Sequence, residues 1–194
     1  LRSADDAALF KSFSKVYFQK KDLIATFMAK WSMDYPGQSG HYHFSLLNSD
    51  NDNNVFYDSF RSNGMSMTQT FAVGGLIKYL PEFLVLIAPT INSYTRLVKG
   101  AWAPTAATWG IENRTSSVRV IPGSIKNQRI ECRVGGADGY PYLVASAILG
   151  AAFLGIEEKL DPGEPVKGNA YEIEDELPEG RRFASNLKES TDRF

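Results

Sequence analysis

Residues 128–134 read QRIECRV, with Arg129, Glu131 and Arg133 at two-residue spacing and Ile130, Cys132 and Val134 between them. Strand side chains point alternately to opposite faces, so this segment reads as a strand with one charged and one apolar face. A strand of this kind belongs in a sheet that covers a core on one side only, because a charged face is not packed away without partners. The charged side, a carboxylate between two guanidiniums, is either a solvated ion-pair ladder or the wall of a site for charged ligands.

Positive charge gathers around this strand. The net charge is −1, yet between Arg96 and Arg133 the basic residues Arg96, Lys99, Arg114, Arg119, Lys126, Arg129 and Arg133 face only two acids, Glu112 and Glu131. From Glu157 onward the balance is acidic, with Glu172, Glu174, Asp175 and Glu176 clustered. An arginine-rich middle in a nearly neutral chain suits a compact polyanion such as a nucleoside triphosphate. Nucleic acid is a poor match, since no stacking aromatics are interleaved with the basic residues. Arg114, Arg119, Arg129 and Arg133 lie on or beside adjacent strands, and such guanidiniums repel one another unless an anion fills the space between them. This favours an anion site over a solvated face.

The only two histidines, His41 and His43, also stand at strand spacing, with Tyr42 and Phe44 on the opposite side. They are either hydrogen-bonded histidines at a sheet edge or contacts for a metal or phosphate. Two histidines do not close a zinc site. With a carboxylate such as Glu131 they suit a partly hydrated Mg²⁺ or Mn²⁺ that holds substrate phosphates.

Along the chain, Ser3 and the acids after it open a helix to about Lys20, and Leu23 to Trp31 and residues 41–47 read as strands. NSDNDNN at 48–54 is a polar loop. Ser66 to Leu80 has helical periodicity that should stop before Pro81, with a short helix from Glu82 to Ile87 after it. Ala106 to Glu112, Ser117 to Ile121 and Arg129 to Val134 are further strands, and Pro141 opens an apolar helix ending near Leu160. Residues 161–194, rich in Pro, Gly and acid at their start, read as an acidic extended surface segment. The order is that of an α+β fold.

With 43% hydrophobic residues the chain has enough apolar content for a sizeable core. The single cysteine, the lack of a leader-like opening in LRSADDAALF, and the lack of an uninterrupted apolar run of roughly 18 residues lead to the expectation of a cytoplasmic chain with no membrane partner.

Six segments, GQSGHYHFSL, INSYTRLVKGAWAP, NRTSSVRV, KNQRIECRV, GADGYPYLVASAIL and GNAY, occur in an order and spacing that resemble the catalytic domain of the glutamine synthetase superfamily. The resemblance implies an antiparallel sheet flanked by helices. It also implies ATP as phosphoryl donor, Mg²⁺ or Mn²⁺ as cofactor, and glutamate and an amine as substrates joined through a γ-glutamyl phosphate. By matching motif positions, His41 and Glu131 correspond to metal ligands. His43, Ser45, Arg119, Lys126 and Arg129 correspond to nucleotide contacts, and Arg114 to the guanidinium that steadies the transferring phosphoryl group. Gly37, Arg96 and Arg133 correspond to positions that hold glutamate.

Two residues depart from the glutamine-forming pattern. Trp102 stands where those members carry an acid that assists ammonia, and Pro36 replaces an asparagine before Gly37. An aromatic at Trp102 resembles relatives that use larger amines such as polyamines, whose ammonium its ring can cover. The small N-terminal β domain and the first metal-ligand strands of the family are not in these 194 residues. The resemblance therefore implies an incomplete catalytic domain, inactive by itself, belonging to a homo-oligomeric ring of roughly ten to twelve subunits. The rival reading is a catalytically inactive structural or interaction relative.

Overall fold

A computed structural model describes residues 1–194. It contains five α-helices and four short strands: α1 (Arg2–Gln19), β1 (Tyr42–Phe44), α2 (Met67–Ile87), α3 (Ile91–Arg96), β2 (Trp109–Ile111), β3 (Val118–Ile121), β4 (Arg129–Cys132), α4 (Pro141–Glu158) and α5 (Leu187–Arg193). The strands form one sheet in the order β1-β4-β3-β2. The α+β class follows the sequence, and every strand is shorter than the apolar pattern suggests.

The sheet is mixed, whereas the resemblance implies an antiparallel one. β4 pairs antiparallel with both β1 and β3, but β2 and β3 run parallel. A parallel pair ordinarily needs a crossover of about a dozen residues. Here residues 112–117 suffice, because Glu112 takes a left-handed φ of 52° that turns the chain directly after β2. Ser117 then locks the return by accepting from the Thr108 amide at 3.0 Å and donating to its carbonyl at 2.8 Å.

α2 begins at Ser66, whose hydroxyl accepts from the Gln69 amide, and it continues through Pro81 to Ile87. The expected stop at Leu80 does not occur. Proline removes one helical hydrogen bond and crowds the preceding turn, at a cost of about 3 kcal/mol. Leu76, Ile77, Leu80, Leu84 and Ile87 are all buried on both sides of it. Continuing the helix keeps all five in the core, which outweighs that cost.

α2 and α4 cross where Gly75 meets Gly155, so closely that a Cβ on Gly155 would fall 2.2 Å from the Phe71 carbonyl oxygen. Both helices are long and apolar enough to cross a membrane by length and composition; here their apolar faces close on each other, and α2 also packs against β3 on the inner face of the sheet. Phe44, Val118, Val120, Ile130 and Cys132 join this core. The apolar alternate positions of β3 and β4 thus lie inward, as their pattern requires.

At the other end of the chain, α1 forms without a side-chain N-cap and starts at Arg2 rather than Ser3. Its apolar stripe is not buried: Leu9, Phe10, Phe13 and Val16 are all more than half exposed. Residues 23–31 form no strand. Their burial still alternates, with Ala25, Phe27 and Ala29 turned inward and Ile24, Thr26 and Met28 outward. Past Leu23, the segment's backbone bonds the rest of the chain only near its end, where the Ala29 carbonyl accepts from the Gln38 amide at 2.7 Å and Lys30 pairs with the Asn92 side chain, so no ladder forms. Residues 161–194 are not simply extended either, since they hold two 3₁₀ turns (Glu174–Glu176 and Glu179–Arg181) and α5.

Candidate functional site

On the outer face of the sheet, strand register places His43, Glu131 and Arg119 in one row across β1, β4 and β3. Glu131 is the centre of this face and is only 3% exposed. Its Oε1 lies 2.8 Å from Arg133 Nη1, 2.9 Å from His41 Nδ1 and 3.6 Å from His43 Nε2; its Oε2 accepts from Arg119 Nη1 at 3.0 Å. Burial alone would raise the Glu131 pKa. Arg133, then Arg119 and His41, outweigh it and hold the carboxyl below its usual range.

Burial, then the charge of Arg133, pushes His41 down to about 4, against an opposing pull from Glu131. The ring is therefore neutral near pH 7, with Nδ1–H donating to Glu131 Oε1. Its Nε2 is buried and has no partner. That leaves a lone pair facing the site, which fits a metal ligand. No set of three His, Cys, Asp or Glu side chains converges to hold an ion, so a metal at His41 and Glu131 would need further ligands.

The arginines divide into three kinds. Arg119 is neutralised internally: it bridges Glu131 and Glu112, with its Nε 2.9 Å from Glu112 Oε2. Burial lowers its pKa, but Glu112 and Glu131 raise it further. This corrects the expectation that the sheet arginines are all short of counter-charge; Glu112, which the sequence does not mark as a site residue, takes one share. Arg96 is the opposite case. It is 3% exposed, and its guanidinium donates only to neutral acceptors: the Val134 carbonyl at 2.8 Å, Ser39 Oγ at 3.1 Å and the Arg133 carbonyl at 3.4 Å. Burial lowers its pKa to about 10, with Asp138 opposing, so it keeps its charge without a bonded carboxylate. Arg133 stands between these, paired with Glu131 through Nη1 while its buried Nε lacks a partner.

Gly37 packs against Arg96; a Cβ there would lie 2.9 Å from Arg96 Cγ and 2.6 Å from the Ala29 carbonyl oxygen. Arg129 reaches His43 Nδ1 at 3.4 Å and the Asn127 carbonyl at 2.9 Å. The other expected site residues stand apart from this cluster. Arg114 is not on the sheet face: it is exposed on the β2–β3 loop. Lys126 is exposed on the β3–β4 turn and Ser45 just past β1. Trp102 is 71% exposed and holds a left-handed φ of 56°, a rare conformation for an aromatic residue.

Similarity to known proteins accounts for this arrangement. The family model described as glutamine synthetase, catalytic domain, matches residues 1–194. The chain belongs to the glutamine synthetase family. It is 43% identical over 195 residues to type-1 glutamine synthetase 2 of Dictyostelium discoideum, covering 99% of this chain and 37% of that protein. It is 38% identical over 194 residues to a glutamate–isopropylamine ligase of a Pseudomonas species, covering 100% of this chain and 42% of that one. Among solved structures it matches a GmaS/ADP complex with a TM-score of 0.85 and 33% identity, covering 98% of this chain and 44% of that one. The chain thus spans less than half the length of each.

Within this glutamine synthetase fold, the acidic C-terminal part reaches the site, which its composition does not suggest. Tyr171, in the GNAY segment, has a buried hydroxyl without a partner. Burial raises its pKa while the charges of Arg133 and Arg96 pull it down, so it lies within electrostatic reach of both guanidiniums. Asp138, outside the expected set as well, accepts from Thr90 Oγ1 at 2.9 Å and Ser93 Oγ at 2.5 Å. It thereby ties the capped start of α3 to the loop before α4.

Proposed function

We propose that this chain is the C-terminal part of the catalytic domain of an ATP-dependent ligase that joins an amine to the γ-carboxylate of glutamate through a γ-glutamyl phosphate. The observation that carries the reading is the buried Glu131, held by Arg119, Arg133 and His41 at one point of a sheet face, with the carboxylate-free Arg96 beside it. Transfer of a phosphoryl group depends on positioning and charge stabilisation more than on covalent chemistry of the protein. A face that sorts guanidiniums around one carboxylate provides both.

In this reading Arg96 and Arg133, with Gly37 supporting Arg96, hold the α-carboxylate of glutamate. His43, Ser45, Arg119, Lys126 and Arg129 grip the nucleotide, and Arg114 stabilises charge on the phosphoryl group as it moves to the γ-carboxylate. The exposed position of Arg114 suits a residue that acts only once the substrates are in place. A divalent ion, Mg²⁺ or Mn²⁺, held in part by His41 and Glu131, would neutralise phosphate oxygens. Trp102 cannot take a proton from ammonium, so its ring is assigned to covering an alkyl ammonium by cation–π contact. The remaining ligands and the assembly into a homo-oligomeric ring in the cytoplasm belong to the longer protein.

The test is phosphate release by the full-length protein with ATP, Mg²⁺, glutamate and a panel of amines. Release that requires both glutamate and an alkylamine, and is weak with ammonia, is the expected outcome. No release above the ATP-only control with any amine rejects the ligase.

A further inference from the structure

The β3–β4 turn carries Lys126, and β4 opens with Arg129; the reading above assigns both to the nucleotide, and the inference here rests on it. The Arg129 guanidinium has few anchors of its own, namely the Asn127 carbonyl and a 3.4 Å contact to His43. Its position therefore depends on where the backbone puts it.

Beneath that backbone lies a pair of amides. Gln69, in the first turn of α2, and Gln128, the residue before β4, are both 0% exposed. Gln128 Nε2 donates to Gln69 Oε1 at 2.7 Å and to the Asn63 carbonyl at 3.3 Å, while its Oε1 accepts from the Gly123 amide at 2.8 Å. Gln69 Nε2 donates to the Arg129 carbonyl at 3.2 Å. Asn54 adds a bond from Nδ2 to the Gln128 carbonyl at 2.7 Å. The side-chain nitrogen and oxygen of both glutamines are satisfied.

Burying two primary amides carries a desolvation cost that an apolar pair of the same shape would avoid, so stability alone is a weak reason for them. What the amides supply is fixed geometry. Gly123 and Arg129 are the two ends of the turn that presents Lys126, and the relay bonds the backbone at both ends to α2. Satisfied buried networks of this kind make structure rigid and unique. We propose that Gln69 and Gln128 are positioning residues for nucleotide binding, holding the β3–β4 turn and the start of β4 at the spacing that Lys126 and Arg129 need.

The experiment uses the full-length protein, with ADP as the calorimetric probe and steady-state KM values for ATP and glutamate. Gln69→Met and Gln128→Met keep side-chain shape, and the double variant removes both amides together, so that neither is stranded if a single variant folds poorly. The expected result is a rise of about tenfold in ADP Kd and ATP KM, with glutamate KM within about twofold of the parent. Unchanged nucleotide affinity overturns the proposal. So does an equal loss for nucleotide and glutamate, which is the mark of general destabilisation. Arg129→Ala separates the layers: if it leaves ADP affinity intact, the nucleotide assignment itself fails. If it weakens ADP while the methionine variants do not, only the relay fails.

Discussion

Glu131 shows how one residue sets the character of a whole face. Its carboxylate is nearly inaccessible, and it is shared by Arg119, Arg133 and His41. Removing the charge while keeping the shape leaves the two guanidiniums facing one another in a partly desolvated space. Glu131→Gln is therefore expected to destabilise the fold by about 3 kcal/mol, read as a lowered unfolding midpoint; a midpoint equal to the parent's would mean the cluster is solvated. Cys132, one residue on, points the other way. Burial pushes its thiol up to about 12 from an ordinary value of 9.0. The thiol should react with disulfide reagents at pH 8 far more slowly in the folded protein than after unfolding in urea. The sign of its pH effect follows. The folded pKa lies above the unfolded one, so this contribution to stability is complete below about pH 9 and is lost as pH rises toward 12. An unfolding midpoint that rose with pH across that window would contradict it. Both residues were legible from QRIECRV, because alternation assigns faces. Arg119's second partner, Glu112, was not legible, since no sequence signal marks a left-handed residue that folds a parallel strand back within residues 112–117.

At the scale of elements, periodicity located all of the longer helices and misjudged their ends. Local chemistry disfavours Pro81 inside a helix and so predicts a stop there. The buried leucines around it override that preference, and no local rule contains such tertiary support. The apolar pattern of residues 23–31 predicts a strand, and their burial alternates accordingly, but a strand forms only where a backbone ladder runs along it. The crossing of α2 and α4 makes a sharper claim. Gly155→Ala would drive a methyl group into the Phe71 carbonyl and should cost about 1 to 3 kcal/mol. Gly150, on the same helix α4, has open space at its Cβ. Gly150→Ala should instead stabilise by about 0.5 to 1 kcal/mol through backbone entropy. Thermal melts of the two variants that moved in the same direction would contradict the packing described.

At the scale of the molecule, the pieces of the site come from elements far apart in sequence: α3 and the segment before β1 for Arg96 and Gly37, the sheet for Glu131 and its neighbours, and the C-terminal part for Tyr171. The ordered motifs made the family recognisable. They did not reveal that Tyr171 and Asp138 reach the same region, because composition marks residues 161–194 only as acidic and polar and residues 136–140 only as a turn before α4. The central claim is that the guanidiniums on this sheet face, with Glu131 and His41, form a nucleotide site. It is tested most directly by titrating a non-hydrolysable ATP analogue and Mg²⁺ into the full-length protein and its Arg119→Ala and Arg129→Ala variants. Binding by the parent that weakens about tenfold or more in each variant is the predicted result. Equal affinity in all three proteins, or none in the parent, would contradict the account.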